Sequence, residues 1–204
     1  MRAIILNGHG GVDALGYVEN FPDPECGKDD VVVRVKSTSL NYHDIFTRNG
    51  MPGIKISMPM ICGLDVAGEI AEIGANVSGW KIGERVLIDP RNRVEGGLVG
   101  ETIHGGLAEY CRVKEHQLVR IPDGVSFDQA SSLPVAYGTA HRMMMTIGQV
   151  TSDDKILILG ASGGVGTGAL LLAKMAGAEV VVCASSEIKM EKLKSLGADY
   201  AMTY

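Results

Sequence analysis

The chain has 204 residues, 46% of them hydrophobic and 21% charged, so it can bury a core of globular size, yet it is too long for one small domain and short for two full ones. Its formal charge of 19 − 24 = −5, with no Lys/Arg cluster, argues against nucleic acid or an anionic membrane as a partner, and no run of about 18 apolar residues offers a transmembrane helix. The first residues, MRAIILNGHGGVDALGY, lack the successive basic, apolar and small-residue regions of an export signal, and Cys26, Cys62, Cys111 and Cys183 form no CxxC pair, so a cytoplasmic protein with reduced thiols is expected.

From Met1 to about Pro122 the apolar runs are short and β-like: Arg2–Leu6, Val31–Leu40, Val66–Gly74 and Arg85–Ile88. Val31, Val33 and Val35 alternate as one face of a half-buried strand. Asn7-Gly8, Pro22-Asp23-Pro24 and Gly83-Glu84 supply turns between the runs, and this half reads as an irregular β-barrel or sandwich. After Ile121-Pro122-Asp123-Gly124 the period changes. Ser126 is an N-cap before a helical stretch from Phe127 to about Ile147 that Pro134 and Gly138 must start, break or kink. Within it, Met143-Met144-Met145 reads as adaptable packing. Then follow a strand at Lys155–Gly160, a helix over Gly164–Gly177, a strand at Glu179–Ser185, a helix over Glu187–Leu196 and a strand beginning at Asp199. Right-handed crossovers make these three strands parallel, the first half of a dinucleotide-binding sheet. The fold class is therefore α/β plus β, with domains at 1–125 and 126–204 and the sheet unfinished.

The segment Gly160-Ala161-Ser162-Gly163-Gly164-Val165-Gly166 joins a buried strand to a helix. Gly163 would let the backbone approach a pyrophosphate, Gly166 would let the helix pack on the strand, and the free N–H groups at the helix start would bind phosphate. About 20 residues on, where a carboxylate would accept from a ribose 2′-OH, the chain reads Cys183-Ala184-Ser185-Ser186. Ser185, Ser186 and Lys189 can instead donate to a 2′-phosphate, which favours NADPH over NADH, although the same residues could simply cap the next helix.

With these motifs the chain resembles the medium-chain dehydrogenase/reductase superfamily, which includes the zinc-type alcohol dehydrogenases and the quinone and enoyl reductases. Gly63-Leu64-Asp65-Val66-Ala67-Gly68, with Gly74 and Val77, has the spacing of the family's G-H-E-x-x-G-x(5)-G-x-x-V segment. Gly83-Glu84-Arg85-Val86 matches its G-D-x-V, and residues 105–110, 121–124 and 197–199 are similar to further landmarks. The resemblance implies a GroES-like irregular β-barrel as substrate domain, then the first β-α-β-α-β half of a Rossmann sheet, with the C-terminal part of the family's fold missing. It also implies an active cleft between the domains, lined by Asn41, Tyr42, His43 and Asp44 on one side and by a Tyr137-Gly138-Thr139 turn near the nicotinamide, with Thr139 and Gly160, Ser162, Gly163, Gly164, Val165 and Gly166 on the cofactor.

The departures bear on mechanism. Where zinc enzymes of this family carry the ligands Cys, His and Cys, this chain has Asn41, Leu64 and, near the third position, Ser131; the lobe from Pro90 to Gly106 lacks the four cysteines of the structural zinc site. Cys62, His43, His104, Cys111 and His116 have no i,i+3 or C-x-x-C spacing, so no zinc is expected. Hydride transfer to an already polarised acceptor, a quinone or an enone, needs no metal. Asn41 would then donate to the developing oxyanion, His43, at the family's hydroxyl-relay position, would donate the proton, and Tyr42 would donate or stack. Asn41 and Asp44 could equally cap the helix that starts there, and His43 could face solvent. The expected protein is a zinc-independent NADPH-dependent reductase of quinones, enones or related carbonyls. The alternatives are an incomplete fragment or nucleotide-binding module, and an alcohol dehydrogenase with an atypical metal site. Expected partners are a small-molecule substrate and, as an option, a second copy of the chain, joined elsewhere than at the sheet's usual far edge if the chain is truncated.

Overall fold

The computed structural model describes residues 1–203. Its contacts form two compact units, Met1–Val135 and a second beginning at Ala136. The division falls later than the composition change near residue 125 because helix α2 (Phe127–Ser131) packs with the first unit. There Ala130 and Phe127 join Ala67 and Ile121 in one apolar cluster, and α2 lies against strands β3 (Asp30–Ser39), β5 (Asp65–Ile73) and β6 (Arg85–Ile88).

The first unit contains two antiparallel sheets. Strand β1 (Ala3–Leu6) lies between β2 (Leu15–Val18) and β4 (Met60–Ile61). The larger sheet has the order β7-β3-β5-β6-β8, with β7 at Tyr110–Lys114 and β8 at Leu118–Arg120. Val31, Val33 and Val35 share a cluster with Val66, Ile70, Val86 and Ile88, as their alternation implies. Val32 is also buried, so β3 is covered on both faces at that point rather than half-buried. The register of β3 on β5 sets Ser39 opposite Asp65, and this brings a carboxylate beside the segment that leads into helix α1 (Tyr42–Asn49).

In the second unit β9 (Lys155–Ile158), β10 (Glu179–Cys183) and β11 (Tyr200–Met202) are parallel in the order β11-β10-β9, joined by α4 (Gly164–Met175) and α5 (Glu187–Ser195). Val180, Val182 and Ile158 meet Ala169, Leu170 and Ala173 in its core. The helical stretch after Ser126 comes in three pieces: α2, α3 (Pro134–His141) and a wider turn over Arg142–Ile147 that closes with Gly148 N–H donating to the Met143 carbonyl at 2.8 Å. Ser126 caps α2 reciprocally with Gln129, at 3.1 and 2.9 Å. Pro134 starts α3, where its missing N–H costs nothing. Tyr137-Gly138-Thr139 is therefore helical and not the expected turn. Ala136 and Ala140 of α3 lie against Gly164 and Gly168 of α4, and that close approach of small residues holds Gly138 in a helix despite its low propensity. Of the three adjacent methionines only Met144 is buried in the core; Met143 and Met145 are exposed.

Candidate active site and dinucleotide loop

Helix α1 begins at a polar knot. The Asn41 N–H donates to the Asp44 carboxylate at 2.7 Å, and the Asp44 N–H donates to the Asn41 carbonyl at 3.0 Å. Asn41 Nδ2 donates not to its own helix but to Asp65 Oδ2 at 2.8 Å. That contact fixes the amide orientation and leaves the second Nδ2 hydrogen and Oδ1 for other partners. Asp65 is fully buried and also accepts from Ser39 Oγ at 2.7 Å and from the Val135 N–H at 2.9 Å. The other Asp44 oxygen accepts from the Gly63 N–H at 3.0 Å. Burial raises both aspartates above the ordinary carboxylate range, while their hydrogen bonds hold them down.

Asn41, Tyr42 and Asp44 share a pocket of about 330 Å³ whose other walls include Leu15, Leu40 and Leu107. Tyr42 is 73% exposed, with its ring edge-on to Phe46 at 5.4 Å. His43 does not line this pocket: its Nε2 lies 2.6 Å from Oε2 of Glu101, a buried residue. Thus Asn41, Tyr42 and Asp44 meet in one pocket at the start of α1, whereas His43, on the same helix, is held by Glu101 of the loop at 90–106.

The positions at which the resemblance implies catalytic zinc ligands do not fit a metal here. Leu64 is buried and has no donor atom, and Asn41 offers a neutral amide, turned by its Nδ2 bond to Asp65, in place of a thiolate. Among the described residues no three His, Cys, Asp or Glu side chains converge. Burial, with a contribution from Asp44, pushes the Cys62 thiol up to about 11, and burial pushes Cys111 to about 12, so both stay thiols at neutral pH. His104 has its pKa lowered by burial, and its Nδ1 accepts from the Ile61 N–H at 3.2 Å.

In the second unit the glycine loop fits a dinucleotide phosphate. A Cβ on Gly166 would sit 2.7 Å from both the Ala161 Cα and the Gly160 carbonyl oxygen, so only glycine lets α4 start this close to the end of β9. Around Gly163, by contrast, the nearest atom to such a Cβ is the Gly160 carbonyl oxygen at 3.5 Å, leaving room for a ligand. Gly163 precedes the first turn of α4, where the N–H groups of Gly164, Val165 and Gly166 have no acceptor within the helix. Ser162, next to them in the chain, is exposed, and Thr139 on α3 is exposed as well. Beyond β10, Lys189 Nζ donates to Ser185 Oγ at 3.1 Å, and Ser186 precedes the first turn of α5, so the three candidate 2′-phosphate donors lie together. Glu187, first in α5, is a neighbouring carboxylate that the strand-end count passed over.

Two residues escaped the sequence reading. Asp65 follows directly on Leu64 in a motif read for its metal position alone, and its signal was a carboxylate at the head of an otherwise apolar strand. Glu101 lies in the lobe read only for its missing cysteines.

Residues 27–123 match the alcohol dehydrogenase GroES-like domain, and residues 164–204 match the zinc-binding dehydrogenase family. Among curated proteins the chain is similar to 2-methylene-furan-3-one reductase of Solanum lycopersicum, 37% identical over all of this chain and 52% of that protein. It is also similar to the chloroplastic NADPH-dependent alkenal/one oxidoreductase of Arabidopsis thaliana, 35% identical with the same coverage. A crystal structure of an NAD-dependent alcohol dehydrogenase superposes with a TM-score of 0.94 at 33% identity, over all of this chain and 64% of that one. The chain thus spans about half the length of the curated relatives it matches.

Proposed function

Because the chain belongs to the medium-chain dehydrogenase/reductase superfamily, with a GroES-like domain and part of a Rossmann sheet, we propose that it serves a zinc-independent, NADPH-dependent reductase of conjugated enones, quinones or related carbonyls. The observation that carries this reading is the pairing of an open dinucleotide loop with a site whose metal positions are an engaged amide and a buried leucine. The names of two relatives, a furanone reductase and an alkenal/one oxidoreductase, point to the same chemistry. Residues 1–125 supply the substrate side and 126–204 the cofactor side.

Gly160, Ser162, Gly163, Gly164, Val165 and Gly166 hold the pyrophosphate, and Ser185, Ser186 and Lys189 take the 2′-phosphate, which selects NADPH. Thr139 is assigned to the nicotinamide side. Reduced nicotinamide, when bound, supplies a hydride. The apolar walls of the pocket beside α1 suit a flat conjugated substrate, and Tyr42 can stack on it. Asn41, oriented by Asp65, donates its free Nδ2 hydrogen to the oxygen that gains charge, Asp44 holds the start of α1, and His43 returns the proton.

The test is NADPH oxidation with a panel of quinones and α,β-unsaturated ketones, with and without a chelator. Turnover unaffected by chelation is expected; strong loss on chelation overturns the zinc-free reading. Replacing His43 by Ala should lower kcat by about 100-fold.

A further inference from the structure

The loop at 90–106 is short and tightly turned. Val99 N–H donates to the Pro90 carbonyl at 2.8 Å, and Gly100 N–H donates to the Ile103 carbonyl at 2.7 Å. Gly100 has φ +78, and a Cβ there would lie 2.8 Å from the Gly63 carbonyl carbon, so the turn sits directly on the segment before Leu64. The next residue is Glu101. It is 7% exposed, and its single ion-pair partner among the described residues is His43, whose side chain is 29% exposed. A carboxylate is not buried without purpose in a segment this constrained, because its desolvation must be offset by a partner.

We propose that Glu101 is a positioning residue for His43, forming a carboxylate–imidazole dyad that fixes which ring nitrogen handles the transferred proton. This rests on the reading of His43 as the proton donor. In the neutral ring the Nε2–H donates to Glu101 Oε2, so that tautomer is favoured and Nδ1 is left as the working nitrogen. With a proton on each nitrogen the ring carries a charge opposite to that of the Glu101 carboxylate, whose Oε2 lies 2.6 Å from Nε2, and the Phe46 ring packs edge-on at 6.5 Å. In the reaction the Nδ1–H bond breaks and its proton passes, directly or through one water, to the substrate oxygen that receives the electron pair displaced by hydride addition. The ring is left neutral, still donating from Nε2 to Glu101, and solvent restores the proton on Nδ1. The Glu101 carboxylate itself gains no proton.

Two variants separate the roles: Glu101→Gln keeps an acceptor but removes the charge, and Glu101→Leu removes both. The first readout is independent of turnover, the ring ¹⁵N shifts of His43 in the cofactor-free protein. The dyad predicts the Nε2–H tautomer in the parent at high pH, its retention in E101Q, and a mixture of tautomers in E101L. The second is turnover with NADPH and an enone. In E101Q, where a neutral amide replaces the carboxylate opposite the ring, kcat should fall about tenfold with KM for NADPH unchanged. Unchanged ring shifts in both variants, or an unchanged kcat in E101Q, overturn the dyad even if H43A is inactive. Full activity in H43A would instead remove the proton-donor reading on which it rests. Loss of the fold in E101L leaves the decision to E101Q, whose kcat must fall with KM for NADPH unchanged for the proposal to stand.

Discussion

The two candidate sites, one in each unit, are built on opposite principles. Around α1 the first unit commits buried charge: Asp44, Asp65 and Glu101 are each at least nine-tenths buried and each is hydrogen-bonded. The glycine loop of the second unit commits almost no side chain, and what it offers is bare backbone N–H at a helix start and space where Cβ atoms would otherwise be. The difference teaches where each half is fragile. The first fails when a donor or acceptor is orphaned, the second when any atom is added.

The largest expected effect comes from breaking the charged half. Asp65→Ala leaves the donors of Ser39, Asn41 and Val135 without an acceptor, which should cost about 3–5 kcal/mol in urea unfolding and release the Asn41 amide. Gly166→Val is the matching insult to the backbone half. It should destabilise by about 1–3 kcal/mol and abolish measurable NADPH binding, because the helix start must move off the strand. Retained NADPH affinity in G166V would show that the phosphates bind elsewhere.

A milder change sharpens the contrast. Lys189→Ala should weaken NADPH by about 10-fold and leave NADH unchanged, since only a 2′-phosphate meets that ammonium group. Equal losses for both cofactors would contradict the assigned preference, and the neighbouring Glu187 makes the comparison informative.

How much of this was legible in the sequence follows from the same contrast. The glycine loop, the parallel strands and the Ser126 cap were readable because their information lies within a few consecutive residues. The site at α1 was readable only in part. Asn41 reaches Asp65 across 24 positions, His43 reaches Glu101 across 58, and Asp65 reaches Val135 across 70. No local pattern announces such partners; the β3–β5 register and the turn at Gly100 create them. Tyr137-Gly138-Thr139 was misread for a related reason. The helix-breaking tendency of Gly138 is local, whereas the packing of Ala136 and Ala140 on α4 that overrides it is not.

The smallest effect concerns pH. Asp44 has a raised pKa, chiefly from burial, so its contribution to stability is complete below the unfolded value of about 4 and is lost as pH rises through the higher folded value. Asp44→Asn resembles the protonated form at every pH. The stability of the parent relative to this variant should therefore be greatest in acid and decline as pH rises through the raised pKa of Asp44. A difference independent of pH would mean that the carboxylate is as well solvated in the fold as outside it.

In the proposed function, hydride reaches a conjugated acceptor without help from a metal at Asn41 and Leu64. Its most direct test is to supply NADPH deuterated at the transferred position together with an α,β-unsaturated ketone, in the presence of chelator, and to locate the label by mass spectrometry and NMR. A saturated ketone carrying deuterium on the carbon β to the carbonyl is expected. Deuterium on the carbonyl carbon of an allylic alcohol, or product formed only when zinc is restored, would contradict it.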